Sequence, residues 1–194
     1  IGSILTMVLA PKIIQNFSVK LIVLFSGSLI SFLWLFIPFV SSYLEMAFFT
    51  FLFGTTYGIF EVVLNLQATS LEKKFERPIM SGIHAFWSIG LLSGSFLTSV
   101  FLEYEISFFN SFIFISILFP IIFFGSKTLN NHENSAQSYT TIFFRWPKIL
   151  IILVVLSITA IFLEGGTDSW GALYMRDYHL AEGFKIGLAA FVFN

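Results

Sequence analysis

An all-α integral membrane protein is what this sequence should fold into, and three features lead there. Of its 194 residues 57% are hydrophobic and only 11% charged, with a mean hydropathy of +0.89, far from the composition of soluble domains. Its apolar runs are about 20 residues long, the length at which a helix crosses a hydrocarbon core of ~30 Å. Threading those runs back and forth places Lys12, Lys20, Lys73, Lys74, Arg77, Lys127, Arg145 and Lys148 on one side and only Arg176 and Lys185 on the other, the asymmetry that marks a cytoplasmic face. The turn at 72–78 and the polar segment after the sixth span are therefore expected in the cytoplasm. A net charge of −1 provides no basic stripe to neutralise phosphates, which argues against nucleic acid as a partner. The absence of Cys excludes disulfides, thiol nucleophiles and Cys-based metal sites.

The elements follow in order. Residues 1–16 read as the end of a membrane helix, with Lys12 extending its ammonium to the surface, and Asn16 to Lys20 as a tight polar turn. Lys20 to Val40 is apolar all round, as is Ile106 to Gly125; such helices face lipid or other apolar helices and offer no site. Between them, the span from Tyr43 to Leu71 carries Gly54 and Gly58 at the spacing that allows two helices to approach closely, and Gly90 and Gly94 repeat it on the next span. Ser126 to Tyr139 has no apolar face to bury and reads as a linker. Arg145, Trp146 and Lys148 form an interfacial anchor before the last long span. The chain opens at Ile1 and stops at Asn194 inside an apolar run, so it is expected to be an internal stretch of a longer protein.

The stretch from Gly58 to Gly94 organises the rest. Two apolar helices flank the turn Glu72-Lys73-Lys74-Phe75-Glu76-Arg77-Pro78, whose five charges in seven residues mark water. Counting inward at ~1.5 Å per residue, Glu61 lies roughly 16 Å deep, Trp87 roughly 14 Å, and Asn65 and His84 share a depth of roughly 10 Å. An ionisable side chain in a bilayer costs about 2.5–3.5 kcal/mol on insertion scales, which makes Glu61 a functional candidate by default. Asn65, one turn on, serves equally as an interhelical hydrogen-bonding group, and Gln67 points off their face. His84 is either a proton partner for a carboxyl or a neutral hydrogen-bonding core residue, and Trp87 either packs or stacks against a solute. The three His, at 84, 132 and 179, have no metal-ligand spacing. Glu164 and Asp168, four apart and flanked by Gly165, Gly166 and Gly171, form the strongest pair. Two carboxyls so close should share a proton near neutral pH, although Asp168 lies roughly 30 Å from Lys148 and could simply meet water. The glycines would let the end of that helix bend as a gate.

Two segments carry a family resemblance. The run from Gly58 through Gln67-Ala, continuing at Leu71 through Arg77-Pro78, Met80-Ser81, His84, Ser88 and Gly90, resembles helices four and five of major facilitator transporters. The branch it is most similar to is the bacterial one that includes MosC-like and YbjJ-like permeases. Glu164-Gly-Gly-Thr-Asp168-Ser-Trp170-Gly-Ala-Leu-Tyr174 is similar to that branch's helix seven. The resemblance implies a major facilitator fold of two six-helix halves, of which only part is present here. Residues 1–126 would run from the end of helix two to helix six, 127–147 would be the cytoplasmic central linker, and 148–194 would hold helix seven and part of helix eight.

It also implies a secondary active transporter of a small solute working by alternating access, monomeric, in the bacterial inner membrane, with helices four and seven lining a central cavity. Glu61, Asn65, His84, Trp87, Glu164, Asp168 and Trp170 would then be the substrate- or proton-binding residues, and neither a metal nor any other cofactor would take part. The family's Gly, Asp and Arg pattern after helix two is reduced here, in Gln15 to Lys20, to the terminal Lys. A transporter-like receptor or a structural subunit that binds without transporting is the alternative from another class. An enzyme is not expected, since the sequence has no His-Glu-x-x-His, Gly-x-Ser-x-Gly or Gly-Lys-Ser/Thr run.

Overall fold

The structure is a computed structural model that describes residues 1–116, 119–129 and 147–193. Among them it is helical throughout: α1 (Gly2–Asn16), α2 (Val19–Trp34) with a 3-10 turn at Ile37–Phe39, α3 (Tyr43–Phe75), α4 (Met80–Glu103), α5 (Phe108–Ser116), α6 (Phe119–Lys127), α7 (Lys148–Asp177) and α8 (Phe184–Phe193). Five stretches are long and apolar enough to cross a membrane: Val19–Phe39, Tyr43–Phe75, Met80–Glu103, Phe108–Lys127 and Lys148–Asp177. The protein is an all-helical integral membrane protein. Of the expected linker at 127–147, residues 130–146, with Arg145 and Trp146 of the expected anchor, lie outside the described residues.

Local chemistry sets the helix ends. Ser18 caps α2 by accepting from the Leu21 amide at 3.3 Å, which narrows the expected polar turn to Phe17 and Ser18. Ser42 and Glu45 form a reciprocal capping box at the start of α3: the Ser42 hydroxyl accepts from the Glu45 amide at 3.2 Å, and the Glu45 carboxylate accepts from the Ser41 and Ser42 amides. At its other end α3 continues one turn further than its apolar run. Glu72, Lys73 and Lys74 are still helical, with the two lysines against the negative end of the macrodipole. Glu76 then closes the helix in the left-handed region at φ 50°, and Pro78, which lacks an amide proton, prevents its continuation. The turn that the sequence places at 72–78 is thus confined to Glu76 through Ile79.

The described chain divides into two compact units. The first comprises residues 1–81 and the described part of 108–139. Its core is Ala10, Ile14, Val19, Ile22, Val23, Ile59 and Val63, contributed by α1, α2 and α3. α1 lies on α3 so closely that a methyl group on Gly58 would stand 2.8 Å from the Ser3 carbonyl oxygen, and one on Gly2 would stand 2.5 Å from the Phe51 carbonyl oxygen. Gly54 meets Ser3 on the same face, so the Gly54–Gly58 spacing does what it predicts. α2 also packs against α5 and α6: Gly27 is in contact with Ile122, and Trp34 stacks on Phe112 with centroids 5.2 Å apart. Lys20 donates to the Lys127 carbonyl at 2.9 Å, closing the end of α6, while the Lys127 ammonium sits 4.5 Å over the Phe123 ring.

The second unit comprises residues 82–107 and the described part of 140–194, and so brings α4 together with α7 and α8. α7 and α8 meet where Gly171 faces the Ala189 methyl at 3.1 Å. α8 reaches α4 through Gly187, which is seated on Ser99, and through the ring of Phe96, 5.9 Å from Phe184 and 5.6 Å from Phe191. Gly90 and Gly94 differ from the expectation. A methyl group on either would meet nothing within 4 Å among the described residues, so their spacing is not used for a helix contact there. α7 runs unbroken through Gly165, Gly166 and Gly171, and Tyr174, Tyr178 and His179 gather their rings at its end, with centroids 5.0–5.3 Å apart.

Hydroxyls inside the spans follow one rule. Ser26, Ser31, Thr56, Thr69, Ser93, Ser99, Thr159 and Thr167 each donate to the carbonyl four residues back, at 2.6–3.1 Å. Without water, a hydroxyl is satisfied most cheaply by its own helix.

The glycine contacts give a test. Gly58→Ala should lower stability by about 1–3 kcal/mol, because α1 must retreat, whereas Gly90→Ala should be neutral or stabilising by up to about 1 kcal/mol. Thermal unfolding of the two variants in one detergent checks this, and equal losses would contradict the packing described.

Candidate functional site

The candidate residues fall on three helices and in both units. In the first unit, Glu61 and Asn65 lie one turn apart on α3 and are half-buried. At 3.6 residues per turn they project opposite to Ile59 and Val63, the side that packs into the core. They continue the line of Gly54 and Gly58 beyond the point where α1 crosses it. Tyr57, one turn before Glu61, adds a half-buried phenol within electrostatic reach of that carboxylate and stacks on Phe53 at 6.2 Å. The sequence reading passed over Tyr57, although its four-residue spacing from Glu61 was a usable signal. The Tyr57, Glu61 and Asn65 side chains together supply a hydroxyl, a carboxyl and an amide along about two helical turns.

Gln67 behaves as the reading of its face requires, and adds something to it. It is only 6% exposed, on the core side of α3 beside Ala68, and its amide nitrogen is buried without a hydrogen-bond partner among the described residues. An orphaned donor in such a position costs about 1–3 kcal/mol.

In the second unit, His84 and Trp87 sit on the first half of α4 with ring centroids 6.3 Å apart, edge to face, and both are exposed. His84 is therefore not a buried core residue among the described residues. On α7, Glu164 is half-buried and Asp168 is exposed one turn on. Gly171 continues the same face and carries the contact to Ala189 of α8, so the carboxylates lead directly into the α7–α8 crossing. Trp170 is 68% exposed and, two residues after Asp168, projects away from that face. Nine residues of helix follow Asp168, ending in Arg176 paired with Asp177 at 2.7 Å. Asp168 thus lies about 13 Å short of the helix end. Among the described residues, no group of three or more His, Asp or Glu is placed to hold a metal ion.

Comparison with known proteins gives two relatives. The chain is 30% identical over 137 residues to an uncharacterized transporter of Sinorhizobium fredii, a match that covers 66% of this chain and 34% of that protein. It is 24% identical over 194 residues to an uncharacterized MFS-type transporter of Yersinia pestis, covering 100% of this chain and 50% of that protein. The chain therefore spans half or less of the length of these curated relatives. No protein-family profile matches it, and no solved structure matches it.

The orphaned amide can be probed directly. Gln67→Met replaces it with an apolar chain of similar length and should leave stability equal to the parent's or raise it by up to about 2 kcal/mol. A loss of more than about 1 kcal/mol on thermal unfolding would show that the amide is engaged.

Proposed function

We propose that the chain is part of a major facilitator transporter, of the MosC-like and YbjJ-like branch, that moves a small solute by alternating access. The observation that carries this is the likeness of all 194 residues to half of the Yersinia pestis MFS-type transporter, together with five apolar spans of which two carry carboxylates well inside their length. In this reading residues 1–126 belong to the first half, 127–147 is the central linker and 148–194 begins the second half. Glu61 and Asn65 on α3, His84 and Trp87 on α4, and Glu164, Asp168 and Trp170 on α7 are the residues that bind the solute or a proton, on the helices that the resemblance matches to the family's helices four, five and seven. The basic residues Lys12, Lys20, Lys73, Lys74, Arg77 and Lys127 favour the cytoplasmic side for the α3–α4 turn and the linker, in a bacterial inner membrane. The transporter works as a monomer without a cofactor.

Proton coupling follows from the carboxyls. Glu61 and Glu164 place ionisable groups inside membrane spans, where such residues mark proton and solute paths.

The whole protein in proteoliposomes, screened against sugars, polyols, amino acids and hydrophobic cations, tests the reading. A ligand at about 100 times its dissociation constant should stabilise the protein by about 2.7 kcal/mol. That ligand should accumulate against its gradient, and Glu164→Gln should reduce uptake by about tenfold or more. Binding without accumulation would refute transport and leave a receptor. Uptake unchanged when the proton gradient is collapsed would refute coupling.

A further inference from the structure

At the end of α4 a single carboxylate ties two helices together. Glu103, the last residue of α4, accepts a hydrogen bond from the Phe184 amide at 2.9 Å. Phe184 is the first residue of α8, so the carboxylate occupies the positive end of that helix and satisfies one of its orphan amides. The preceding residue is shaped for this contact. Gly183 stands in the left-handed region at φ 54°, and a methyl group there would run into the Glu103 carboxylate. One turn along each helix the approach is equally close: Ser99, fully buried, is seated against Gly187. Phe96 then covers Phe184 and Phe191. Beside the contact is an open hollow of about 700 Å³, walled by Glu103, Glu105, Met175, His179 and Lys185. The connection from α7 to α8 borders it, and Leu180 in that connection is also left-handed, at φ 52°. A bulky residue keeps that conformation only while its surroundings hold it, and the hollow gives the connection room to move.

We propose that the hydrogen bond from the Phe184 amide to Glu103 is a clasp that holds the two halves of the transporter together at the end opposite the α3–α4 turn, and that it must open for this end to admit solute. The inference rests on the reading above, in which α4 belongs to the first half and α8 to the second. Every other contact between these two helices described here is apolar or between small residues, and such surfaces slide and reseat easily. The clasp is different in kind, because one directional hydrogen bond fixes the register of α8 on α4 and is either made or broken.

The reporter is a thiol at the buried seat. Ser99→Cys is placed in a cysteine-free background and the whole protein is reconstituted into nanodiscs, both faces of which are open to a water-soluble maleimide. The single variant should label slowly. Adding Glu103→Ala should speed labelling by about tenfold, the scale expected when a helix cap is lost. Gly183→Ala, which displaces the carboxylate without removing it, should speed labelling as well. Glu103→Gln keeps an oxygen that can accept from the Phe184 amide and should stay near the parental rate. Unchanged labelling in both Glu103→Ala and Gly183→Ala overturns the clasp, and so does a Glu103→Gln rate equal to that of Glu103→Ala. Labelling needs no substrate, so failure of the transport reading would show in the uptake assay and not here.

Discussion

Water is absent from the interior of a bilayer, and nearly everything in this chain answers to that. A backbone amide or carbonyl left unpaired in hydrocarbon costs several kcal/mol, so a spanning segment must satisfy its own groups and becomes a helix. The same pressure turns the serine and threonine hydroxyls back onto their own carbonyls. Because lipid is as apolar as leucine, burying apolar area does little to bring helices together, and close backbone approach takes over. Hence the decisive contacts are made at glycines: Gly2, Gly54 and Gly58 between α1 and α3, Gly27 between α2 and α6, and Gly171 and Gly187 around α8.

Against that background the ionisable and amide side chains inside the spans stand out. Glu61 and Asn65 occupy the side of α3 opposite its core, and Glu164 and Asp168 lead into the crossing of α7 with α8. Lys20, by contrast, is structural: it closes the open end of α6 through the Lys127 carbonyl.

The helices were legible in the sequence because apolar length and flanking charge determine them almost alone. The boundaries were legible where capping chemistry is strong, as at Ser42 and Glu45, and less so at the end of α3. There three charged residues read as a loop but extend the helix, since lysines stabilise its negative end. The glycine spacing marks a helix contact at Gly54 and Gly58, whereas Gly90 and Gly94 have the same spacing with no neighbour beside them among the described residues. Spacing says that a helix can be approached, not that one approaches it. The Glu103 contact was out of reach, because 81 residues separate it from Phe184 and a terminal glutamate looks like ordinary surface.

The folded-back hydroxyls also determine what each helix can offer its surroundings. A serine or threonine whose proton is committed to its own carbonyl retains only its oxygen lone pairs. Thr69 on α3, Ser93 on α4 and Thr159 and Thr167 on α7 are all committed in this way, so each of them offers its surroundings an acceptor and no donor. A group that donates hydrogen bonds, whether on a neighbouring helix or a lipid headgroup, finds a partner at these oxygens. One rich in acceptors depends on the few side chains whose protons are not spent on the backbone.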